Sequence, residues 1–261
     1  MKTAAERTYR MELQYDGTGL HGWAKQDGLA TVEGSLETAL RVAIGHSPAL
    51  RVAGRTDAGV HARLQVVSLA LPGGIEPRRL AASINALTPQ GIRVMRLSRA
   101  APDFDARRDA LSRTYRYFLC VGPVVPPFWA PYCWRVSGPL DMAAMQEAAL
   151  LVRGRHDFTA FTPTITKHTF FQRRVVDCSW KRDSGRGNQA GIWRMEIEAE
   201  TFLRHMVRAL VGAMLEIGQG KREVGCIGPL LAGASRSDAG RTAPGQGLFL
   251  WDVKYPPRCK T

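Results

Sequence analysis

Residues Thr8 to Tyr15 alternate, with Tyr9, Met11, Leu13 and Tyr15 on one side and Arg10, Glu12 and Gln14 on the other. A period of two predicts a half-buried strand. The period then changes. Val32, Leu36, Leu40 and Ile44 recur every four residues behind Thr31, which predicts a helix over 31–44 with Thr31 as its N-cap. Apolar runs at 50–53 and 65–71 read as strands flanking an irregular loop. Pro77 opens a predicted helix with Leu80, Ile84 and Leu87 inward, and 92–97 reads as a strand. The first half is therefore ordered βαββαβ.

The second half repeats that order without evident sequence identity. A strand at 114–121 is followed by a helix at 141–152 with Met142, Met145 and Ala149 inward, then by strands at 172–181 and 192–200. A long helix is predicted over 201–217, burying Phe202, Met206, Leu210, Ala213 and Ile217, with Gly218 placed to end it. A shorter helix and a last strand at 248–253 complete the set. The βαββαβ order is the split-βαβ arrangement. The expected fold class is α+β, with two ferredoxin-like (RRM-like) halves and mainly antiparallel sheets. The expected domains are 1–105 and 106–261.

Composition narrows the class. With 45% hydrophobic and 23% charged residues the chain falls in the globular range, which excludes disorder, collagen and coiled coil. Its 36 Lys and Arg against 23 Asp and Glu give a net charge of +13, and a polyanionic partner is the usual reason to tolerate such a surplus. Nucleic acid is the leading partner and an anionic membrane surface the second. No helix combines a lysine-rich face with a large apolar one, which counts against the membrane.

The N-terminus has charge but no apolar run behind it, so a cytoplasmic location is expected. The uncharged stretch 117–134 is broken by Pro123, Pro126, Pro127 and Pro131 and reads as a loop rather than a membrane span. Five cysteines, Cys120, Cys133, Cys178, Cys226 and Cys259, show no metal-binding spacing and are expected to be reduced and buried.

The charge is concentrated in two places. Seven arginines (93, 96, 99, 107, 108, 113 and 116) face three aspartates between 93 and 116. Six Lys or Arg face two Asp between 167 and 186, with Phe170, Phe171 and Trp180 among them. Basic and aromatic residues so mixed suit phosphate neutralisation and base stacking, and equally a solvated face over ordinary core aromatics.

Between the two middle strands of the first half lies Gly54-Arg55-Thr56-Asp57-Ala58-Gly59-Val60-His61. Its glycines fit half of a phosphate loop, but Val60-His61 stand where Lys-Ser/Thr must follow, so an NTPase is excluded. What remains is a carboxylate in a glycine-flanked turn beside an arginine. Asp57 could be presented from a rigid sheet edge, or could simply cap its own backbone.

The nine residues from Ala53 to His61 closely resemble the catalytic signature of the tRNA pseudouridine synthase A (TruA) family. Further segments follow in that family's order: Tyr15-Asp16-Gly17, Gly22-Trp23, Arg113-Thr114-Tyr115-Arg116-Tyr117, Asp157 to Phe161, His205-Met206-Val207-Arg208, Val211-Gly212 and Gly247-Leu248. The resemblance spans roughly 9–255. Departures stand at Ala24, where the family often has glutamine; at Asp105, where histidine commonly precedes Ala-Arg; and at Thr88 and Gly91, within what is often Leu-Pro-x-Asp.

The resemblance implies the pseudouridine synthase fold, with a basic active-site cleft between the halves. It implies an isomerase acting on uridines 38, 39 and 40 of the tRNA anticodon stem-loop, as a homodimer whose subunits share one tRNA. Asp57 would act at C1′ of a flipped-out uridine, Arg55 would fill the vacated space and Tyr115 would stack on the extruded base. Neither a cofactor nor a metal is implied. Arg116, His205 and Arg208 are candidate RNA contacts, the last two placed on one edge of the long helix, while Tyr117 reads as core and His61 as structural. The competing class is a non-catalytic module of two RRM-like halves, but the aromatic signature of that module is missing.

Overall fold

Tyr9, Met11 and Leu13 are fully buried and Tyr15 nearly so, as the alternation of β1 (Arg7–Tyr15) requires. The computed structural model describes residues 5–166, 168–183 and 191–259. The chain forms two units, one running up to Arg113 and resuming at Leu250, the other from Thr114 to Phe249.

The first unit continues with α1 (Val32–Ile44), β2 (Arg51–Val52), β3 (His61–Leu71), α2 (Pro77–Leu87) and β4 (Ile92–Arg99). Thr31 caps α1, its side chain accepting from Gly34 N–H, and Gly45 ends the helix in the left-handed region at φ 81°. β1 pairs antiparallel with β3 and with β4, and β2 pairs antiparallel with β3. The order β4-β1-β3-β2 is that expected of a ferredoxin-like half. β2 is short for a visible reason: after Ala53 N–H donates to Val66 O, the Gly54 carbonyl accepts instead from the Gln65 side chain. Leu87, expected inward, is 45% exposed at the end of α2.

The second unit holds β5 (Ser112–Val121), β6 (Trp134–Val136), α3 (Met142–Leu151), β7 (Gly154–Asp157), β8 (Gln172–Arg182), β9 (Gly191–Ala199), α4 (Met206–Gly218) and α5 (Ile227–Leu230). Its sheet runs β5-β9-β8-β7, with β6 parallel to β5. β10 (Leu248–Lys254) crosses from this unit into the first, where it borders β3. β6 and β7 carry too few residues to show a period.

The division expected at 105/106 falls instead after Arg113, and the tail rejoins the first unit. Side chains explain both shifts. Arg113 donates from Nε and Nη2 to Ala53 O, and from Nη2 to Arg107 O at 2.6 Å, which binds 107–113 to the first unit. Tyr255 Oη donates to Ala106 O at 2.6 Å, and the buried Arg10 guanidinium lies 4.7 Å from the Tyr255 ring while donating to Cys259 O.

The long helix begins at Met206 rather than 201. Phe202 and Leu203 continue the apolar spacing, but His205 turns left-handed at φ 62°, so the preceding residues stay outside the helix. Gly218 is its last residue, as placed; an added Cβ there would stand 2.5 Å from Met145 Sδ, and the left-handed turn follows at Gly220, φ 68°. Gly220 N–H donates to Ile217 O and Lys221 N–H to Glu216 O, the paired bonds of a Schellman turn.

Of the five cysteines, all free, four are buried and Cys226 is half-buried. Among the described residues no helix is long and apolar enough to cross a membrane. Of the second basic segment, Lys167 and 184–190 lie outside the described residues. Trp180 is core, its indole N–H donating to Met214 Sδ, whereas Phe170 is exposed beneath the Arg173 guanidinium.

Candidate active site

The signature string leaves β2 and re-enters at β3, and its backbone is held from three directions. Val60 N–H donates to Asp57 O at 3.2 Å, closing a turn whose third residue, Gly59, has φ 72°. The segment after β1 lies across this turn: Trp23 N–H donates to Thr56 O and Gly59 N–H to Leu20 O. The approach is so close that a Cβ on Gly17 would lie 2.3 Å from Val60 O, and one on Gly22 2.7 Å from Thr56 O. From the side, Arg113 grips Ala53 O.

From beneath, three buried polar side chains meet. Gln65 Nε2 donates to Gly54 O at 2.7 Å and to Tyr15 Oη at 3.2 Å, and Tyr15 Oη stands 2.8 Å from Thr56 Oγ1. Burial pushes the Tyr15 phenol up to about 12, against smaller opposing contributions from Thr56 and Gln65, so it is a neutral hydroxyl at any physiological pH. His61 is structural, as expected: it is 1% exposed and its Nδ1 accepts from Gly17 N–H at 2.9 Å. The same Nδ1 lies 3.0 Å from Asp16 Oδ1.

This framework leaves Arg55 exposed and Asp57 half-buried, two positions apart on a backbone that cannot shift without breaking several hydrogen bonds. Tyr15, Thr56 and Gln65 have no assigned role in the sequence reading. The available signal was Gln65, a polar residue at the start of the apolar run of β3, fully buried.

The other predicted site residues lie on the second unit. Tyr115, on β5, is 7% exposed and its ring meets Phe202 edge-on at 4.9 Å. Arg116, its neighbour, forms an ion pair with Glu196 of β9. Tyr117 is core, its hydroxyl donating to Pro244 O and its ring closely packed against Gly247. His205 and Arg208 do not share a helix edge, because His205 precedes α4 in left-handed conformation. Arg208 ties α4 to the irregular segment that precedes β10: its Nε donates to Ala243 O at 2.7 Å while Ala243 N–H donates to Arg208 O. Gly212 serves the same junction, since any Cβ there would overlap Arg241 O.

Comparison with known proteins gives this geometry its family. The family described as tRNA pseudouridine synthase matches residues 148–256. The tRNA pseudouridine synthase A of Chlorobium chlorochromatii is 39% identical over 254 residues, covering 95% of this chain and all of that protein. That of Bacteroides fragilis is 37% identical, covering 95% and 96%, and that of Solidesulfovibrio magneticus 41%, covering 94% and 90%. The chain belongs to the tRNA pseudouridine synthase A family.

Three of the four departures named above make local hydrogen bonds. Thr88 Oγ1 donates to Ile84 O at the end of α2, and Gly91 O accepts from Asp16 N–H beside the signature turn. Asp105 caps its own turn, accepting from Arg107 and Arg108 N–H, and pairs with Arg51 Nη1 at 2.9 Å. Burial pushes the Asp105 carboxyl up, but the bonds from Arg51, Arg108 and Arg107 outweigh it and hold the carboxyl below 3.8. A lowered folded-state pKa stabilises above the unfolded value and is lost as pH falls through the folded one. Melting temperature measured between about pH 5 and 2 should therefore fall less steeply in Asp105→Asn than in the parent. The difference is expected to be of order 1 kcal/mol or less, because Arg51 is well exposed. Parallel curves would disprove it.

Proposed function

We propose that the protein isomerises uridine to pseudouridine at positions 38, 39 and 40 of the tRNA anticodon stem-loop, with the Asp57 carboxylate as the reacting group. The observation that carries this reading is the signature turn itself: a carboxylate and an arginine two positions apart on a backbone clamped from three directions.

Pseudouridine differs from uridine only in connectivity. The bond from C1′ to N1 breaks and one from C1′ to C5 forms; C5 loses a proton and N1 gains one, so the atoms balance without a co-reactant. No cofactor is called for. The sugar carbon becomes electron-poor as N1 leaves, and a carboxylate held beside it either attacks it or stabilises that charge, as in glycoside cleavage. The target must first leave its stack, at roughly a few kcal/mol. Arg55, exposed two positions before Asp57, is suited to occupy the space so opened, and Tyr115 to stack on the base at about 1–3 kcal/mol. In the cytoplasm a net charge of +13 serves the long polyanionic substrate, with two copies of the chain engaging one tRNA.

The test is an unmodified tRNA transcript incubated with purified protein and no added nucleotide, then treated with carbodiimide and read by reverse transcription. Stops are expected at 38 to 40, and none when those uridines are replaced by cytidine. Pseudouridine formed elsewhere, or none formed, refutes the assignment. Light scattering at twice the chain mass would support the dimer, and monomer alone would refute it.

A further inference from the structure

Three polar side chains buried beneath the signature turn are joined in one hydrogen-bonded chain. Gln65 Oε1 accepts from Val66 N–H, which fixes the orientation of the amide and leaves Nε2 as its donor. Nε2 donates to Gly54 O and to Tyr15 Oη. The Tyr15 and Thr56 hydroxyls, 2.8 Å apart, share one further hydrogen bond, which either can donate. Gly54 and Thr56 are the residues on either side of Arg55, and Thr56 immediately precedes Asp57. One Gln–Tyr pair from β3 and β1 thus holds the Gly54 carbonyl before Arg55 and the Thr56 side chain before Asp57.

A phenylalanine at 15 would keep the ring near Trp23, 6.3 Å away, so the Tyr15 hydroxyl is not needed for that packing. Polar groups so deeply buried are tolerated when fully satisfied, and a satisfied network specifies one arrangement where an apolar contact allows several.

We propose that the Tyr15 hydroxyl, oriented by Gln65, is a positioning group for the isomerisation: through Thr56 it sets where the Asp57 carboxylate stands, and it governs turnover rather than tRNA affinity. This rests on the reading of Asp57 as the reacting carboxylate. Tyr15 touches no substrate. Its effect is on the placement of a charge that must face C1′, where a displacement of about 1 Å lowers rates by roughly a hundredfold.

The experiment compares full-length Tyr15→Phe, Thr56→Val, Thr56→Ser, the Tyr15→Phe/Thr56→Val double variant and Asp57→Asn. Each is measured by single-turnover rate at saturating protein, by Kd for tRNA and by melting temperature. Tyr15→Phe and Thr56→Val are each expected to slow the chemical step by about 10- to 100-fold, with Kd changed by less than about twofold. The double variant should be no slower than the slower single one, since both remove one bond. Thr56→Ser should recover a rate within about threefold of the parent, because it keeps the hydroxyl.

A wild-type rate in folded Tyr15→Phe, multiplied losses in the double variant, or a Thr56→Ser as slow as Thr56→Val overturns the proposal. Should Tyr15→Phe fail to fold, the comparison of Thr56→Ser with Thr56→Ala decides it on the same criterion. A slow Asp57→Asn beside a fast Tyr15→Phe removes the positioning role alone, whereas a fast Asp57→Asn removes the assignment on which it rests.

Discussion

Asp57→Asn should bind tRNA as tightly as the parent, or slightly more tightly, and form no detectable pseudouridine. The substitution keeps the size of the side chain and every backbone bond of the turn, including that from Val60 N–H to Asp57 O. What it removes is the negative charge. A carboxamide neither attacks an anomeric carbon nor balances positive charge there, and enzymes that lose their reacting group lose at least about 10⁴-fold in rate. Binding is governed separately, by Lys and Arg against phosphates, and withdrawing one anion from a basic protein makes the approach of RNA no harder. The check pairs filter binding at fixed salt with carbodiimide probing of the product. Full turnover would show that another group performs the chemistry; lost binding would show that Asp57 holds the turn together instead.

How much of this was legible in advance depends on the range of the contacts involved. Strand β1 and helices α1 and α3 follow from spacing, because one face of each is buried and nothing local contradicts it. The start of α4 was misplaced because Phe202 and Leu203 imitate helical spacing, while the left-handed turn at His205 leaves no mark on a hydrophobic pattern. The return of residues 250–259 to the first unit was hidden for another reason: Arg10 pairs with Cys259 across 249 positions, and its period had marked Arg10 as solvent-facing when it is 8% exposed. Around Trp180 and Arg208 the pattern decides little, because aromatic and basic residues are common to RNA-binding surfaces and to ordinary cores and joints. Within the site, Asp57 stood out only through the unbroken string around it. The Tyr15–Gln65–Thr56 arrangement joins residues 41 and 50 positions apart, and no local pattern brings them together.

Gly22→Ala should damage the protein through two separate costs. Gly22 has φ 91°, a conformation that side chains disfavour by roughly 1–2 kcal/mol. Its new Cβ would also stand 2.7 Å from Thr56 O and 3.0 Å from the carbonyl carbon of Asp57, both of them backbone atoms that cannot rotate away. Overpacking of that kind costs about 1–3 kcal/mol more. The strain cannot dissipate outward, because Gly22 O accepts from Val32 N–H at the start of α1 and Trp23 N–H donates to Thr56 O. Either the bond to Thr56 lengthens or the turn that carries Asp57 is pushed toward solvent. Melting temperature should therefore drop by on the order of 10 °C, taking about 2–4 °C per kcal/mol. Turnover at temperatures well below the melt should fall about tenfold or more, as the carboxylate is displaced from its target. Gly28, in the same connecting segment at φ 73° but with nothing near its Cβ position, supplies the control: Gly28→Ala carries the backbone strain without the collision. If it costs as much as Gly22→Ala in both measurements, the close approach between the connecting segment and the signature turn does not hold Asp57 in place.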